Sequence, residues 1–338
     1  MKQIILLTCT LFTLLICSCS NNNDIDTYNE VTISENNYSA FLAKIDSINS
    51  LYVPNPNVKK AGVLSYVLKN KAEKVADTGG NVVGGWIGKY IGTGVGAAMG
   101  NPVIAASGYV IGRSVGRVVG GVLASYGSKL LVDYIDKRFL RAPQKAYSNL
   151  AITDSIPYYI PQKQELTTED SLGYIHNHII DSLELQNEEY IVNDSINYDL
   201  LYQHCVNYAK HHGVDCDSVT DNKRFKQEII RYCKEISELV YNAEKEEISF
   251  STYGENATEM LKAYGISEEI ASLFKDYTLK VSSTCEQLSE EQQKQYADEL
   301  FQAIEGSNLP KELKNEAETS TNMMINSSIY WGQNSKQE

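Results

Sequence analysis

The chain has little from which a catalytic centre is made. Its five histidines, His176, His178, His204, His211 and His212, all fall within 37 of its 338 residues. It carries no phosphate loop, no His-Glu-x-x-His zinc motif and no Gly-x-Ser-x-Gly elbow, so the sequence predicts neither an enzyme nor a cofactor. His204 and His211 would stand two turns apart on a helix, near Cys205 and Cys216, but that spacing fits no established ligand pattern and no metal is assigned. Acid is missing from one long stretch: no Asp or Glu lies between Asp77 and Asp133. The N-terminal apolar run, Ile4 to Ile16, is 13 residues long, short of the roughly 20 that a spanning helix needs.

That run follows Met1-Lys2 and ends at Cys17-Ser18-Cys19-Ser20, which is the layout of a cleaved secretion signal. Ile16-Cys17-Ser18-Cys19 resembles the lipobox of bacterial lipoproteins, with an aliphatic residue three before the cysteine and a small one just before it. The resemblance implies cleavage after Ser18, acylation (palmitate among the chains) of Cys19, and a lipid-anchored place in the cell envelope, on the outer membrane or cell surface. Of seven cysteines, Cys9 and Cys17 leave with the signal, Cys19 carries lipid, and Cys205, Cys216, Cys233 and Cys285 remain. An oxidising envelope permits up to two disulfides among them, and four buried thiols are the alternative.

Charge is divided unevenly. Up to Arg141 there are 14 Lys and Arg against 9 Asp and Glu; from Ala142 onward there are 16 against 34. The first part, at +5, suits an anionic membrane surface, and the second, at −18, does not. No nucleic-acid partner is expected.

Asp-Ser followed by an aliphatic residue occurs six times, placing serines at Ser47, Ser155, Ser171, Ser182, Ser195 and Ser218. Ordinary usage gives roughly one such match. The excess resembles the Asp-Ser/Thr-aliphatic signal of the general O-glycosylation system of Bacteroidetes, which implies glycans on these serines. Some of the six also suit helix starts, where Asp and Ser cap free N–H groups.

The most informative stretch is a glycine ladder. Gly80, Gly84, Gly88, Gly92, Gly96 and Gly100 keep a period of four; after Asn101-Pro102 it resumes at Gly108, Gly112, Gly116 and Gly120, then Ala124 and Ser128. Residues four apart share a helix face, so each arm carries a stripe along which another backbone approaches closely. Valine, isoleucine, Trp86 and Tyr90 fill the spaces between. Glycine costs a helix about 1 kcal/mol relative to alanine, so close packing must offset it. Asn101-Pro102 is a turn signal, and proline opens a helix well. The sequence therefore predicts a helical hairpin, 79–100 and 102–138, whose first arm is about 31 Å long.

Lys89 and Arg113 come to one depth in such a hairpin, with Arg117 a turn further. Unpaired cations at mid-bilayer cost about 2.5–3.5 kcal/mol each, which suggests that they line a wet interior. A period of four drifts by about 40° per rung on a 3.6-residue helix, so one neighbour cannot cover the stripe. An oligomer of hairpins would. The ladder resembles those of glycine-zipper outer-membrane lipoproteins and glycine-zipper bacteriocins, over about 50 residues. That resemblance implies membrane association and self-assembly; Lys89, Arg113, Arg117 and the large C-terminal part depart from it.

Helical spacing over 36–51 predicts an amphipathic helix, and Lys59, Lys60, Lys69, Lys71 and Lys74 mark a basic one over 58–76. Pro143, Pro157 and Pro161 mark 142–166 as an exposed linker, with Arg138 and Arg141 as candidate cleavage positions. Helices are expected over 167–186, 195–212, 221–247, 257–264, 266–283, 289–306 and 310–329. Ser289 to Gln292 has capping-box spacing.

The predicted class is all-α: a signal (1–18), a tether (19–33), amphipathic and basic helices (34–78), the glycine-zipper hairpin (79–141), the linker, a separate acidic helical domain (167–330) and a tail (331–338). The leading expectation is a lipid-anchored envelope protein whose hairpin inserts into a bilayer or oligomerises there, with an envelope protein or glycan as a further candidate partner. The alternatives are an antibacterial pore-forming toxin, activated by cleavage near Arg138 or Arg141, and a soluble helical binding module.

Overall fold

The computed structural model describes residues 34–53, 80, 84–85, 102–140, 158–162, 168–184, 190–192, 195–211, 214, 217–245, 250–285 and 287–334. The fold is all-α, and the described strands are two residues each. Helix α1 is Glu35–Tyr52 and α2, the second arm of the hairpin, is Pro102–Leu140. A 3-10 turn, Thr168–Ser171, leads into α3, Leu172–Glu184. Strands β1, Ile191–Val192, and β2, Ser195–Ile196, form a tight antiparallel hairpin. Then come α4 (Tyr198–His211), α5 (Asp217–Thr220), α6 (Lys223–Lys245), α7 (Phe250–Ala263) and α8 (Glu268–Leu273). A π-turn, Phe274–Thr278, joins α8 to α9 (Leu279–Cys285), and α10 (Glu290–Glu305) and α11 (Lys311–Asn334) complete the chain.

Local chemistry fixes the ends. Ser289 and Gln292 form the reciprocal capping box that starts α10. Asn222 accepts from the N–H groups of Arg224 and Phe225 at the start of α6. Gly265, at φ 82°, stops α7 in the left-handed region, where a side chain would be strained. The expected helix over 195–212 starts later, at Tyr198, because Ser195-Ile196 pairs with Ile191-Val192 as a strand. Asn197 then caps α4 through the N–H of Leu200. The expected helix over 266–283 is divided by the π-turn, whose Phe274, Tyr277 and Thr278 are buried. Helix α11 continues to Asn334, through part of the expected tail.

The hairpin's second arm is not set apart from the helices that follow. Helix α2 lies along α6, α3 and α4, and every residue from Gly112 to Ser128 is buried. The packing has a physical reason: α2 is apolar on all sides, and the apolar faces of α3 and α6 need a partner. Phe225, Ile229, Tyr232, Cys233, Ile236 and Val240 of α6 are all buried.

Helix α1 docks on the other side, against α9 and α10. Tyr296 Oη donates to Asn49 at 2.5 Å, Tyr52 Oη to Glu299 at 2.8 Å, and Lys280 pairs with Asp46 at 2.9 Å. Burial, then the bond to Glu299, pushes the Tyr52 phenol up to about 12.

Part of the expected exposed linker is docked as well. Tyr159 and Pro161 are buried, and the Asn326 amide of α11 pairs with the Tyr159 backbone in both directions. The Tyr159 N–H donates to Asn326 Oδ1 at 2.8 Å, and Asn326 Nδ2 donates to Tyr159 O at 2.9 Å. The Tyr159 hydroxyl reaches Asp298 at 2.7 Å. Asn322 receives the N–H of Gly173 at 2.9 Å, and a Cβ at Gly173 would lie 2.6 Å from that same oxygen.

Replacing Asn326 with alanine removes the side-chain partner of both the N–H and the carbonyl of Tyr159. A loss of about 2–4 kcal/mol is expected, read as a lower chemical-denaturation midpoint of the mature chain with an unchanged far-ultraviolet circular dichroism spectrum.

Candidate functional site

The two arms meet at a backbone contact. A Cβ at Gly84 would collide with the Gly116 peptide, one at Gly116 with the Gly84 peptide, and those at Gly80 and Gly120 with each other's carbonyls. No side chain fits here, so the glycines set how closely the arms approach. Gly80, Gly84 and Gly85 are the described, buried residues of the first arm. Lys89, Gly88, Gly92, Gly96 and Gly100 lie outside the described residues, and Gly108 is described as backbone only.

The drift of the stripe appears in what covers it. Twelve residues turn a helix by about 120° beyond whole turns, so Ser128 faces away from the arm that Gly116 meets. It faces α6: Ser128 Oγ donates to Ala124 O at 2.6 Å and lies 3.3 Å from Ser237 Oγ. Gly127 meets Tyr198 of α4 and Ser237 of α6. Helices of the same chain thus cover the faces that the first arm leaves.

Next to the glycine contact sits a charge clasp. Arg113 and Arg117, placed by sequence reasoning on a wet interior, instead reach α11 of the same chain. Arg113 Nη2 lies 2.5 Å and Arg117 Nη2 2.6 Å from Glu316 Oε1, and Arg117 Nη1 donates to the Thr319 hydroxyl. All are buried, with Arg117 at 0%, Arg113 at 7% and Glu316 at 8% exposure. Arg117 crosses the hairpin beside Gly85, where a Cβ would lie 2.7 Å from its Cγ. The i,i+4 spacing of the arginines and the nearly one-turn spacing of Glu316 and Thr319 bring the four groups together. Breaking such a buried pair by removing one partner costs about 3–5 kcal/mol. Further along α2, Lys129 pairs with Glu184 at 2.9 Å, and the Tyr126 hydroxyl donates to Leu183 O at 3.0 Å.

Glu316 and Thr319 carried no motif in the sequence. The charge asymmetry of the chain is the signal that could have found the pairing, and it names no residue. The other candidates are scattered. Arg138 stands in the last turn of α2, while Arg141 and Cys19 lie outside the described residues. Ser47 is exposed on α1 and Ser195 on β2. Ser171 and Ser182 are half-buried, and Ser182 donates to His178 O. Ser155 lies outside the described residues, as does the side chain of Ser218.

Three of the histidines are tied to tyrosines or to the core. His204 Nδ1 lies 2.7 Å from the Tyr190 hydroxyl, the His178 ring packs tilted against Tyr174, and His176 is buried beside Asn177. Cys205, Cys233 and Cys285 are buried, and burial pushes the Cys205 and Cys233 thiols up. The described residues hold no group of metal-ligating side chains, and none of their helices is long and apolar enough to cross a membrane.

Alanine at Gly116 places a methyl group against the Gly84 peptide and forces the arms apart. It is expected to destabilise the chain by about 1–3 kcal/mol, whereas alanine at Gly306, which ends α10 with a contact no closer than 3.2 Å, stays within about 1 kcal/mol. Denaturant melts of the two variants read the difference. No family model, no curated protein and no solved structure matches the chain.

Proposed function

We propose that this chain is a lipid-anchored envelope protein that stores a membrane-inserting, self-associating hairpin inside its own helices. The observation that carries the reading is the clasp of Arg113 and Arg117 by Glu316 beside the Gly84–Gly116 contact. In a stretch with no acid between Asp77 and Asp133, Arg113 and Arg117 are answered by the acidic C-terminal part, and the glycine stripe is filled at Gly80, Gly84, Gly116 and Gly120.

Cleavage near Arg138 or Arg141 cuts the chain between the hairpin and the helices that sheath it, and this favours the antibacterial pore-former as the purpose of the storage. The lipid on Cys19 holds the protein at the envelope. Ser47 and Ser195, the exposed members of the glycan series, are the positions proposed for O-glycans. Hairpins freed from the sheath associate through the same glycine stripe. The absence of a spanning helix among the described residues and the internal filling of the stripe favour a second reading, a helical binding module with a permanently buried hairpin.

Dye release from vesicles containing anionic lipid separates the two. Residues 20–338 are expected to leave the dye inside while intact and to release it once nicked after Arg141. Retention of the dye by both forms, with the nicked protein staying in the aqueous phase, leaves the binding module.

A further inference from the structure

Resting on the stored-hairpin reading, we propose that Arg113 and Arg117 form a binding pair for a phosphate group whose negative charge no neighbouring cation offsets, and that Glu316 occupies it as an internal stand-in while the chain is closed. Donors from two guanidinium groups converge on one oxygen, Glu316 Oε1, at 2.5 and 2.6 Å. The remaining Nη1 of Arg117 takes the Thr319 hydroxyl as a further acceptor. Planar guanidinium forks that focus on oxygen suit phosphate as well as carboxylate, because either anion presents acceptors at the spacing of the fork.

The acceptors share one helix. Glu316 and Thr319 both belong to α11, so a single displacement of α11 withdraws both from the arginines. In water that step is opposed by the cost of breaking a buried pair. Where phosphate oxygens wait at the opening, the arginines exchange one anion for another. Gly85 leaves the room in which the buried Arg117 side chain passes the first arm. An anionic phospholipid surface and dissolved inorganic phosphate both supply this chemistry. The surface supplies it beside apolar chains that the freed arm also needs.

The test uses the mature chain nicked after Arg141, with vesicles of phosphatidylglycerol or of phosphatidylcholine alone. Wild type is expected to release dye from phosphatidylglycerol. The double variant Arg113→Lys/Arg117→Lys keeps both charges and loses both forks, and is expected to release about tenfold more slowly. Inorganic phosphate, compared with chloride at equal ionic strength, tells the sources apart. If phosphate slows release, the free ion occupies the same pair; if it does not and the arginine dependence stands, the pair is assigned to the headgroup.

Release by the double-lysine variant at the wild-type rate overturns the proposal, since total charge, including Lys59 to Lys74, then suffices. Equal wild-type release from phosphatidylcholine overturns it too, while leaving the stored hairpin standing. No release from any vesicle removes the stored hairpin itself. Should the double variant fail to fold by circular dichroism, the uncut Glu316→Gln chain is floated with each vesicle type. Binding to phosphatidylglycerol alone supports the proposal, and binding to neither or to both equally overturns it.

Discussion

Where Gly80 and Gly84 meet Gly116 and Gly120, two helix backbones touch with no side chain between them. Much else follows from that contact. An arm with so many glycines is a poor helix by itself, so its order derives from what it packs against. The contact covers one face of α2, and the four-residue period turns the stripe onward until Gly127 and Ser128 reach α4 and α6. A helix buried on every side over Gly112 to Ser128 has nowhere to leave arginines in water, so Arg113 and Arg117 have an acid built to receive them.

That dependence makes the clasp a matter of specificity as much as of stability. Burying charge is expensive, and a well-packed apolar substitute often does as well or better. The arrangement gives the chain one register: Arg117 passes beside Gly85, meets Glu316 and Thr319, and so fixes α11 against the hairpin. The asparagines of α11 do the same elsewhere, with Asn326 holding the Tyr159 backbone and Asn322 the start of α3. Helix α11 is thus a polar core helix whose amides and hydroxyls read other segments of the chain.

The sequence made the all-α class legible through its periodicity, and the capping box at Ser289 and the proline at Pro102 marked helix starts in advance. Its period also showed that one neighbour could not cover the glycine stripe. What it did not show was whose helices supply the rest, because a four-residue stripe is the same whether its partner belongs to another copy or to the same chain. Glu316 is one acid among many in the C-terminal part, and its role depends on a contact across 199 positions from Arg117. The docking of Tyr159 was hidden for a related reason. Prolines signal the absence of a helix, and a non-helical segment held by side-chain amides looks the same in sequence as a free linker. The strand pair at Ile191–Ile196 is so short that the helical pattern after it concealed it.

Amide hydrogen exchange over residues 112–128, in the intact mature chain without detergent or lipid, tests the closed hairpin most directly. The account predicts that these amides exchange only by global opening and are among the best protected in the chain, with those of α6. Exchange of 112–128 on the timescale of frayed helix ends, while α6 stays protected, would contradict it, since the hairpin would then lie open beside a body that folds without it.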